Sequence, residues 1–390
     1  MGDNQYPGID RDSIEKYRKE FPIVKSAIYL DHAGVAPVPL RVSEEVGKFL
    51  KEAAEKAILG YEHWMERVEA VRGLSAKLVG AEREEIAFIK NTSHGISIVS
   101  GGLEWKKGDN VLVFEKEFPS NIYPWLDLKR KGVNVKFIPL KDNRIRLDDI
   151  ESLLDGRTRV VSLSSVQSLN GFMIDLKELG ALCRRKGVLF FVDAIQSLGV
   201  VPMDVREFGV DFLAADGHKW LLAPEGTGIF YCRKDRAAEL RPNLIGWKTV
   251  KSDYDFENID FTLKENALRF EEGSFNVMGI TALGGALDLL FEIGIENVGA
   301  RVHDLGDLIM DEAENRGFHL STLRDRNERG GIVSFSGDFD PVEMRKKLRE
   351  SNIVVNNRGG ALRIAPNFYN TEEEILKLFG EIDKALAGSS

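Results

Sequence analysis

Residues 209–220 read Gly-Val-Asp-Phe-Leu-Ala-Ala-Asp-Gly-His-Lys-Trp, an apolar strand core that runs into a polar turn. The turn carries His218 and Lys219. Open α/β sheets bind their ligands at the carboxyl ends of strands, which is where this lysine falls. Burial there lowers the pKa of an amine, and such an amine can form a Schiff base with a carbonyl compound. Lysines that follow strands are usually solvated, so the role of Lys219 depends on the rest of the chain.

Apolar runs of strand length recur from residue 85 onward and alternate with helical stretches or loops. This pattern predicts a mostly parallel sheet that is covered by helices on both faces. We therefore predict an α/β fold with a mostly parallel seven-stranded sheet flanked by helices. The predicted strands are Ile86–Ile89, Val111–Phe114, Val133–Ile138, Val160–Leu163, Val188–Val192, Phe212–Ala215 and Gly228–Cys232.

The pattern changes after about Gly273, where a long helical stretch from Ile280 to about Asn315 precedes short strands and further helices. A chain of 390 residues is long for one hydrophobic core, so two domains are expected. We predict an N-terminal arm (residues 1–25) that packs with the small domain, a large domain (26–272) and a small α+β domain (273–390).

Composition excludes several classes of protein. The net charge of −9 and the lack of a long basic run argue against nucleic acid or an anionic membrane as the main partner. The sequence has no apolar span of membrane length and no start like that of a signal peptide. Two cysteines, Cys183 and Cys232, form neither a disulfide framework nor a metal site. These features predict a soluble cytoplasmic protein without a bound metal.

Residues 91–96, Asn-Thr-Ser-His-Gly-Ile, follow a predicted strand and open a predicted helix. Thr92 and Ser93 are suitable helix caps, and the exposed backbone donors at a helix start bind phosphate well. A simple N-cap without a ligand is the alternative interpretation.

A second carboxylate-bearing strand end lies in residues 190–196, Phe-Phe-Val-Asp-Ala-Ile-Gln. Asp193 could be a cap or an ion-pair partner, but it could also keep the ring nitrogen of an electron-sink cofactor protonated. The separation of 26 residues between Asp193 and Lys219 suits two successive strand ends, so both side chains could face one cleft.

The sequence from Asp193 to Gln196, followed by His218-Lys219, resembles the signature of class V aminotransferases. These are fold-type I pyridoxal phosphate (PLP) enzymes related to cysteine desulfurases, kynureninases and isopenicillin N epimerase-like proteins. Residues 29–37 are similar to the opening loop of the family and residues 363–373 to its closing motif. Five motifs in the family's order cover nearly the whole chain. The resemblance implies PLP as the cofactor and a small amino acid as the substrate.

The resemblance also implies roles for the two central residues. Lys219 would hold PLP as a Schiff base and later move the α-proton of the substrate, while Asp193 would pair with the ring nitrogen. Gln196 would reach the region of the 3-hydroxyl group. Gln167 is a weaker candidate for contacting that hydroxyl.

The resemblance places the phosphate of PLP at the start of the helix that follows Asn91. Thr92, Ser93 and His94 would bind it, and His218 would add a donor. Asp216 stands where family members often have serine. Because a carboxylate that faces phosphate is repelled, we expect Asp216 to point elsewhere.

Phe118 falls where the family stacks an aromatic ring on the cofactor and where desulfurases usually have histidine. Phenylalanine can stack but cannot transfer a proton; the alternative is an ordinary core phenylalanine. Arg363 is the first candidate for binding the substrate carboxylate and Arg358 the second, because guanidinium groups bind carboxylates through paired hydrogen bonds. In the alternative interpretation both are surface arginines.

The resemblance also implies a symmetric homodimer with active sites at the subunit interface. Gly246-Trp247 and the segment from Arg269 to Phe275 are similar to segments that family members place across that interface, near the neighbouring phosphate.

Cysteine desulfurases have a nucleophilic cysteine in the loop before the substrate arginine, and residues 353–363 contain none. This disfavours desulfuration through a persulfide. The first hypothesis is therefore amino-group transfer of the class V type. The alternative is another reaction that starts from the same α-carbanion, either epimerisation or β-elimination such as C–S cleavage. A non-catalytic regulatory protein is a third hypothesis, against which the retention of Lys219 argues.

Overall fold

The computed structural model describes residues 9–388. Its α-helices are α1 (Arg11–Arg18), α2 (Leu40–Lys56), α3 (Tyr61–Val79), α4 (Thr92–Gly102), α5 (Tyr123–Leu126), α6 (Leu147–Leu153), α7 (Leu176–Lys186), α8 (Val277–Ile293), α9 (Ile295–Asn315), α10 (Pro341–Glu350) and α11 (Glu372–Ala387). Its strands are β1 (Ile28–Tyr29), β2 (Ile86–Ile89), β3 (Asn110–Phe114), β4 (Asn134–Ile138), β5 (Thr158–Ser164), β6 (Leu189–Asp193), β7 (Phe212–Asp216), β8 (Gly228–Cys232), β9 (His319–Leu320), β10 (Val333–Ser336), β11 (Ile353–Val354), β12 (Asn356–Arg358) and β13 (Ala361–Ile364).

The central sheet has seven strands in the order β2-β8-β7-β6-β5-β3-β4. The predicted fold is confirmed, and each predicted strand agrees with the observed one to within two residues at both ends. Every residue of β2, β3, β6, β7 and β8 is buried, which is why these strands read as continuous apolar runs. Strand β8 pairs antiparallel with both of its neighbours, and the remaining pairs of the sheet are parallel.

The register of the parallel strands brings their polar carboxyl ends together. Ser164 at the end of β5 is level with Asp193 at the end of β6, and Asp193 is level with Ala214 in β7. Helix α4 approaches the same region closely, because a side-chain carbon at Gly95 would lie 2.5 Å from Cβ of Ala214. A glycine at this position therefore allows the start of α4 to lie beside the carboxyl end of the sheet.

The helical stretch predicted from Ile280 to Asn315 is two helices rather than one. Gly294 has a φ of 91°, a conformation that favours glycine, and α8 and α9 are bent by 77° at this residue. Most side chains of α8 are buried, and the helix packs against α2 and α3. No single helix among residues 9–388 is long and apolar enough to cross a membrane, although α8 and α9 together satisfy that criterion of length and composition.

A four-stranded antiparallel sheet, in the order β12-β13-β10-β9, forms the centre of the C-terminal part of the chain. The predicted domain boundary at residue 273 stays a prediction. Along α9, the buried apolar side chains up to Val302 belong to the core around the large sheet, and those from Leu305 to Ala313 belong to the core around the small one. Strand β1 pairs with β11 of the C-terminal part, so residues 28–29 connect the two regions.

Residues 1–8 of the predicted arm lie outside the described residues. Helix α1 lies against the first turn of α11 and the segment that precedes it: Arg18 forms an ion pair with Glu374 at 2.8 Å and donates a hydrogen bond to the carbonyl of Tyr369. The ring of Phe21 stacks on that of Tyr369 with 3.8 Å between the ring centroids.

Candidate active site at the carboxyl edge of the sheet

A cavity of about 210 Å³ opens at the carboxyl edge of the central sheet, beside the start of α4. Its lining residues are Asn91, Thr92, Ser93, Phe118, Ser120, Ser164, Ser168, Asp193, Ile195, Gln196, Asp216, His218 and Lys219. Segments that are far apart in the sequence meet here because each follows or ends a strand of the same sheet.

Lys219 is the lysine of this cavity and is only 8% exposed. No carboxylate among residues 9–388 lies within 4 Å of its amine. Burial lowers the pKa of Lys219, and the positive charges of Arg363 and Arg358 lower it further, against the opposite effect of Asp193 and Asp216. A lowered pKa increases the fraction of neutral amine, which is the nucleophilic form.

Asp193 is 2% exposed, and its Oδ1 accepts a hydrogen bond from the backbone N–H of Ile195 at 3.1 Å. Burial raises the pKa of Asp193, and the nearby carboxylate of Glu117 raises it further. No cationic side chain of the described residues lies within 4 Å of Asp193. The site therefore lacks a resident cation for this carboxylate and can accept one from a ligand.

Glu117 is a buried carboxylate behind the cavity for which the sequence suggested no role. It accepts hydrogen bonds from the backbone N–H and the hydroxyl of Ser164, at 2.6 and 2.7 Å, and from Nε2 of Gln167 at 3.2 Å. Burial raises the pKa of Glu117, while these donors lower it. Because its partners come from a segment 47 to 50 residues away, no local sequence signal indicates this role.

Two of the predicted cofactor ligands do not line the cavity. Gln167 lies behind it, where its amide is directed to Glu117 and to the carbonyl of Ser164. The side chain of His94 lines a separate cavity of about 160 Å³ next to Lys90 and Glu272. The turn of helix between adjacent residues explains this difference, since His94 and Ser93 point to different sides of α4.

The predicted ligand Gln196 does line the cavity, but its amide is engaged by protein groups. Its Nε2 donates to the carbonyl of Ala33 at 3.0 Å, and its Oε1 accepts from Nε1 of Trp220 at 2.8 Å. Gln196 thus joins the opening loop to the residue that follows Lys219.

The start of α4 forms one wall of the cavity. The N-cap is Asn91, whose side chain accepts the N–H of His94 at 2.9 Å, and not Thr92 or Ser93 as predicted. This frees the two hydroxyls for other partners. Oγ of Ser93 donates to Oγ of Ser120 at 2.8 Å, and Oγ1 of Thr92 accepts the backbone N–H of Asp216 at 3.1 Å. The first N–H groups of a helix lack intrahelical partners and can bind an anion.

Asp216 is among the residues that line the cavity, and the expectation that its carboxylate points away from the phosphate stays a prediction. Its Oδ1 accepts the N–H of Gly217 at 2.8 Å, and its Oδ2 lies 3.0 Å from Nδ1 of His218. The alignment of this last contact falls outside that of a hydrogen bond, so the contact is an ion pair when the imidazole is protonated. A protonated imidazole at His218 would therefore offset the negative charge of Asp216 beside a bound phosphate.

Phe118 forms the outer side of the cavity and is 37% exposed. The amine of Lys219 lies 5.5 Å from the centre of its ring, and the guanidinium of Arg358 lies 5.0 Å from it. Arg358 is half-buried, and no carboxylate among the described residues lies within 4 Å of it. Burial lowers the pKa of Arg358, and the charge of Arg363 lowers it further.

Arg363 is buried rather than a surface arginine, with 3% of its surface exposed. Its Nη2 lies 3.1 Å from Oδ1 of Asp31, and its Nη1 donates to the carbonyl of Ser168 at 3.2 Å. Its Nε has no hydrogen-bond partner among residues 9–388. Sequence reasoning missed Asp31, because 332 residues separate the pair and the bridge between Asp31 and Ala365, next to the pairing of β1 with β11, brings them together.

Both cysteines lie outside the cavity lining. Cys183 is buried in α7, and Cys232 is buried at the end of β8. Burial raises the pKa of Cys183 to about 12 and that of Cys232 well above its ordinary value. Neither thiol is suited to nucleophilic attack on a substrate.

Comparison with known proteins gives one family. The family model described as aminotransferase class-V matches residues 28–378. A protein named probable cysteine desulfurase from Methanothermobacter thermautotrophicus is 32% identical to the chain, over 96% of this chain and 98% of that protein.

Solved structures show the same architecture. The apo structure of a cysteine desulfurase from Thermococcus onnurineus has a TM-score of 0.88 and 26% identity, covering 96% of this chain and 98% of the other. A lysine mutant of C-DES, solved with glycine covalently linked to its PLP cofactor, has a TM-score of 0.88 and 25% identity, covering 93% of this chain and 98% of the other.

The predicted cofactor, PLP, is confirmed by these comparisons, and the cavity offers the groups that PLP needs. A buried amine of lowered pKa suits the aldehyde, and a buried carboxylate without a cation suits a protonated ring nitrogen. The start of α4, with the hydroxyls of Thr92 and Ser93, suits a phosphate. These residues would hold PLP through Lys219, Asp193 and the α4 N-terminus.

Proposed function

The chain belongs to the class V aminotransferase family of PLP-dependent enzymes, and from this premise we propose that it transfers the amino group of a small amino acid. PLP, when bound, supplies an electron sink for the bonds of the α-carbon. The observation that supports the proposal is that Lys219 is the lysine of the cavity and that the ring of Phe118, whose centre lies 5.5 Å from its amine, cannot carry a proton.

Lys219 can remove the α-proton and hold it on Nζ, because burial lowers the pKa of this amine. Amino-group transfer needs one such group, which takes a proton from one carbon and returns it to another nearby. Epimerisation by two bases needs a second proton carrier on the opposite face of the α-carbon. Phe118 cannot serve as that carrier, which favours transfer over epimerisation.

We propose that the α-carboxylate of the substrate approaches Arg363 and Arg358. Arg358 has no carboxylate partner among residues 9–388, and its guanidinium lies beside the same ring as the Lys219 amine. Arg363 is already oriented by Asp31 and by the carbonyl of Ser168. The carboxylate would then be fixed on one side of the cavity, with the amino group directed toward Lys219.

Desulfuration of cysteine is the second candidate, because relatives with this name match the chain over nearly its full length. The cysteines argue against a persulfide carried by the protein. Both are buried with raised thiol pKa values, and residues 353–363 contain neither of them. A β-eliminating cleavage of a C–S bond needs no protein thiol and stays open as an alternative outcome.

The experiment is to mix purified holoprotein with a panel of amino acids and follow the cofactor spectrum together with keto acid, ammonia, alanine and sulfide. Amino-group transfer predicts conversion of bound PLP to its pyridoxamine form with one equivalent of keto acid. Sulfide with alanine would replace the proposal by desulfuration, and sulfide with ammonia would replace it by β-elimination. No spectral change with any amino donor would refute transfer.

We further propose a homodimer. The segment after Trp247 exposes four large apolar side chains, a composition that marks protein interfaces, namely Tyr254, Phe256, Ile259 and Phe261. Sedimentation equilibrium tests this proposal: a monomer at micromolar concentration would refute it, and replacing Ile259, which is 92% exposed, with aspartate should weaken a dimer. The predicted cytoplasmic location stays a prediction.

A further inference from the structure

Asp216 is a buried carboxylate in the cavity wall, in the region that would hold the phosphate of PLP. It is 6% exposed, and its backbone N–H donates to the hydroxyl of Thr92 at the start of α4. A carboxylate in this position repels phosphate unless a positive charge lies between them. The group available for that purpose is the imidazole of His218, whose Nδ1 lies 3.0 Å from Oδ2 of Asp216.

The two nitrogens of His218 differ in their surroundings. Nδ1 is sealed from solvent and faces the carboxylate. Nε2 is not sealed, and it makes no hydrogen bond to any described residue, while the residue itself lines the cavity. The backbone of His218 is fixed by a hydrogen bond of 2.8 Å from the N–H of Ala36 to its carbonyl.

The carboxylate of Asp216 beside Nδ1, and a phosphate bound beside Nε2, would each place a requirement on the nitrogen that it faces. A nitrogen beside a carboxylate is stable there as an N–H donor, so Nδ1 needs a proton. A nitrogen that binds phosphate must also be a donor, so Nε2 needs one as well. Both requirements are met together only by the doubly protonated, positively charged imidazolium.

We propose that Asp216 is a positioning residue that holds His218 as an imidazolium, with Nδ1–H toward the carboxylate and Nε2–H available to the phosphate of PLP. The cation then lies between two anions, and the carboxylate does not face the phosphate unscreened. The inference depends on the cofactor and not on amino-group transfer, so either can fail without the other.

Asp216→Asn separates this role from simple support of the backbone. The N–H of Gly217 lies 2.8 Å from Oδ1 of Asp216, and the Oδ1 of an asparagine can still accept it. The negative charge beside His218 is lost. Asp216→Ser, which places the residue that family relatives often have, is the second variant. Histidine at 218 is removed by His218→Gln, alone and combined with Asp216→Asn, and unfolding of each apoprotein by circular dichroism checks that the fold is retained.

Three measurements on the holoproteins test the inference. PLP release into buffer should be at least about tenfold faster in Asp216→Asn, since the proposed hydrogen bond from Nε2–H of His218 to the phosphate is lost or weakened. The ¹⁵N NMR signals of labelled histidine, assigned by their loss in His218→Gln, should show both ring nitrogens protonated in the wild type and one deprotonated in Asp216→Asn. The ³¹P signal of bound PLP should shift in Asp216→Asn.

The double variant shows whether Asp216 acts through His218. With His218→Gln present, Asp216→Asn should change PLP release by less than about twofold, because coupled residues give non-additive effects. A neutral His218 in the wild-type holoprotein would overturn the inference. Unchanged PLP release in Asp216→Asn would also overturn it. So would an equal effect of Asp216→Asn on the rate of PLP release in the wild-type and His218→Gln backgrounds. If Asp216→Asn does not fold, the same criteria apply to Asp216→Ser.

Discussion

Replacing Arg363 with glutamine should impair both stability and recognition of the substrate carboxylate, and the two effects can be separated. Arg363 and Asp31 are joined at 3.1 Å in a buried setting, with 3% and 8% of their surfaces exposed. Removing the arginine leaves Asp31 with the amide of Asn356, at 2.8 Å, as its remaining side-chain donor. Breaking one side of a buried ion pair costs about 3–5 kcal/mol of unfolding free energy.

The loss in catalysis follows from the hydrogen bonds that a guanidinium makes to a carboxylate. Each charge-assisted hydrogen bond contributes about 1.5–3 kcal/mol, so two of them correspond to a loss in kcat/KM on the order of 100-fold or more. The loss should be confined to substrates with a carboxylate. The corresponding amine without a carboxylate should react with Arg363→Gln about as slowly as with the wild type.

A matched double variant isolates recognition from stability. In Asp31→Asn with Arg363→Gln both buried charges are absent, so much of the unfolding free energy should return while the amino acid is still poorly recognised. Arg358→Gln is the control for a guanidinium without a carboxylate partner and should lower stability by less than about 1 kcal/mol.

The assay is kcat/KM for the amino acid that the panel identifies and for its carboxylate-free amine, together with urea unfolding of each variant. If Arg363→Gln retains kcat/KM for the amino acid within about threefold while its stability falls, the reasoning is refuted. Arg363 would then support the fold, and Arg358 would carry the carboxylate.

Three further predictions concern the cofactor bond and stability. Borohydride reduction of the wild-type holoprotein should fix PLP to the peptide that contains Lys219, as read by mass spectrometry, and Lys219→Ala should abolish this label. A wild-type label at another lysine would contradict the assignment. Burial lowers the pKa of His32 to about 4 from 6.5, so the folded state favours the neutral imidazole. The free energy of unfolding is therefore unaffected by His32 above pH 6.5 and falls as the pH is lowered toward 4, because the unfolded chain binds the proton first. That loss amounts to about 3 kcal/mol and should be smaller in His32→Gln, as measured by urea unfolding at each pH; equal pH dependence in the two proteins would contradict it. Glu271→Gln should lower the free energy of unfolding by about 3–5 kcal/mol and Glu69→Gln by less than about 1 kcal/mol, as measured by urea unfolding. Both carboxylates bind Arg72, but only Glu271 is buried, so equal losses would show that burial is not the cause.

The sequence by itself determined the parts of this protein whose signals are local. Strands such as Ile86–Ile89 and Gly228–Cys232 were predicted at their observed bounds, because a strand buried on both faces must be apolar throughout. Asp193 and Lys219 were placed in one cleft by their separation along the chain, since adjacent parallel strands end at the same edge. The motif order, with the resemblance it carries, also gave PLP.

Only the tertiary structure decided which polar groups pair with one another. Asp31 and Arg363 are 332 residues apart, and Glu117 and Ser164 are 47 apart, so no spacing in the sequence links them. The side of α4 occupied by His94 and the contact of Asp216 with His218 likewise depend on how the helix and the turn meet the sheet. Lys219 was identified from its local sequence, but the charges that lower its pKa come from side chains that only folding brings to the same cavity.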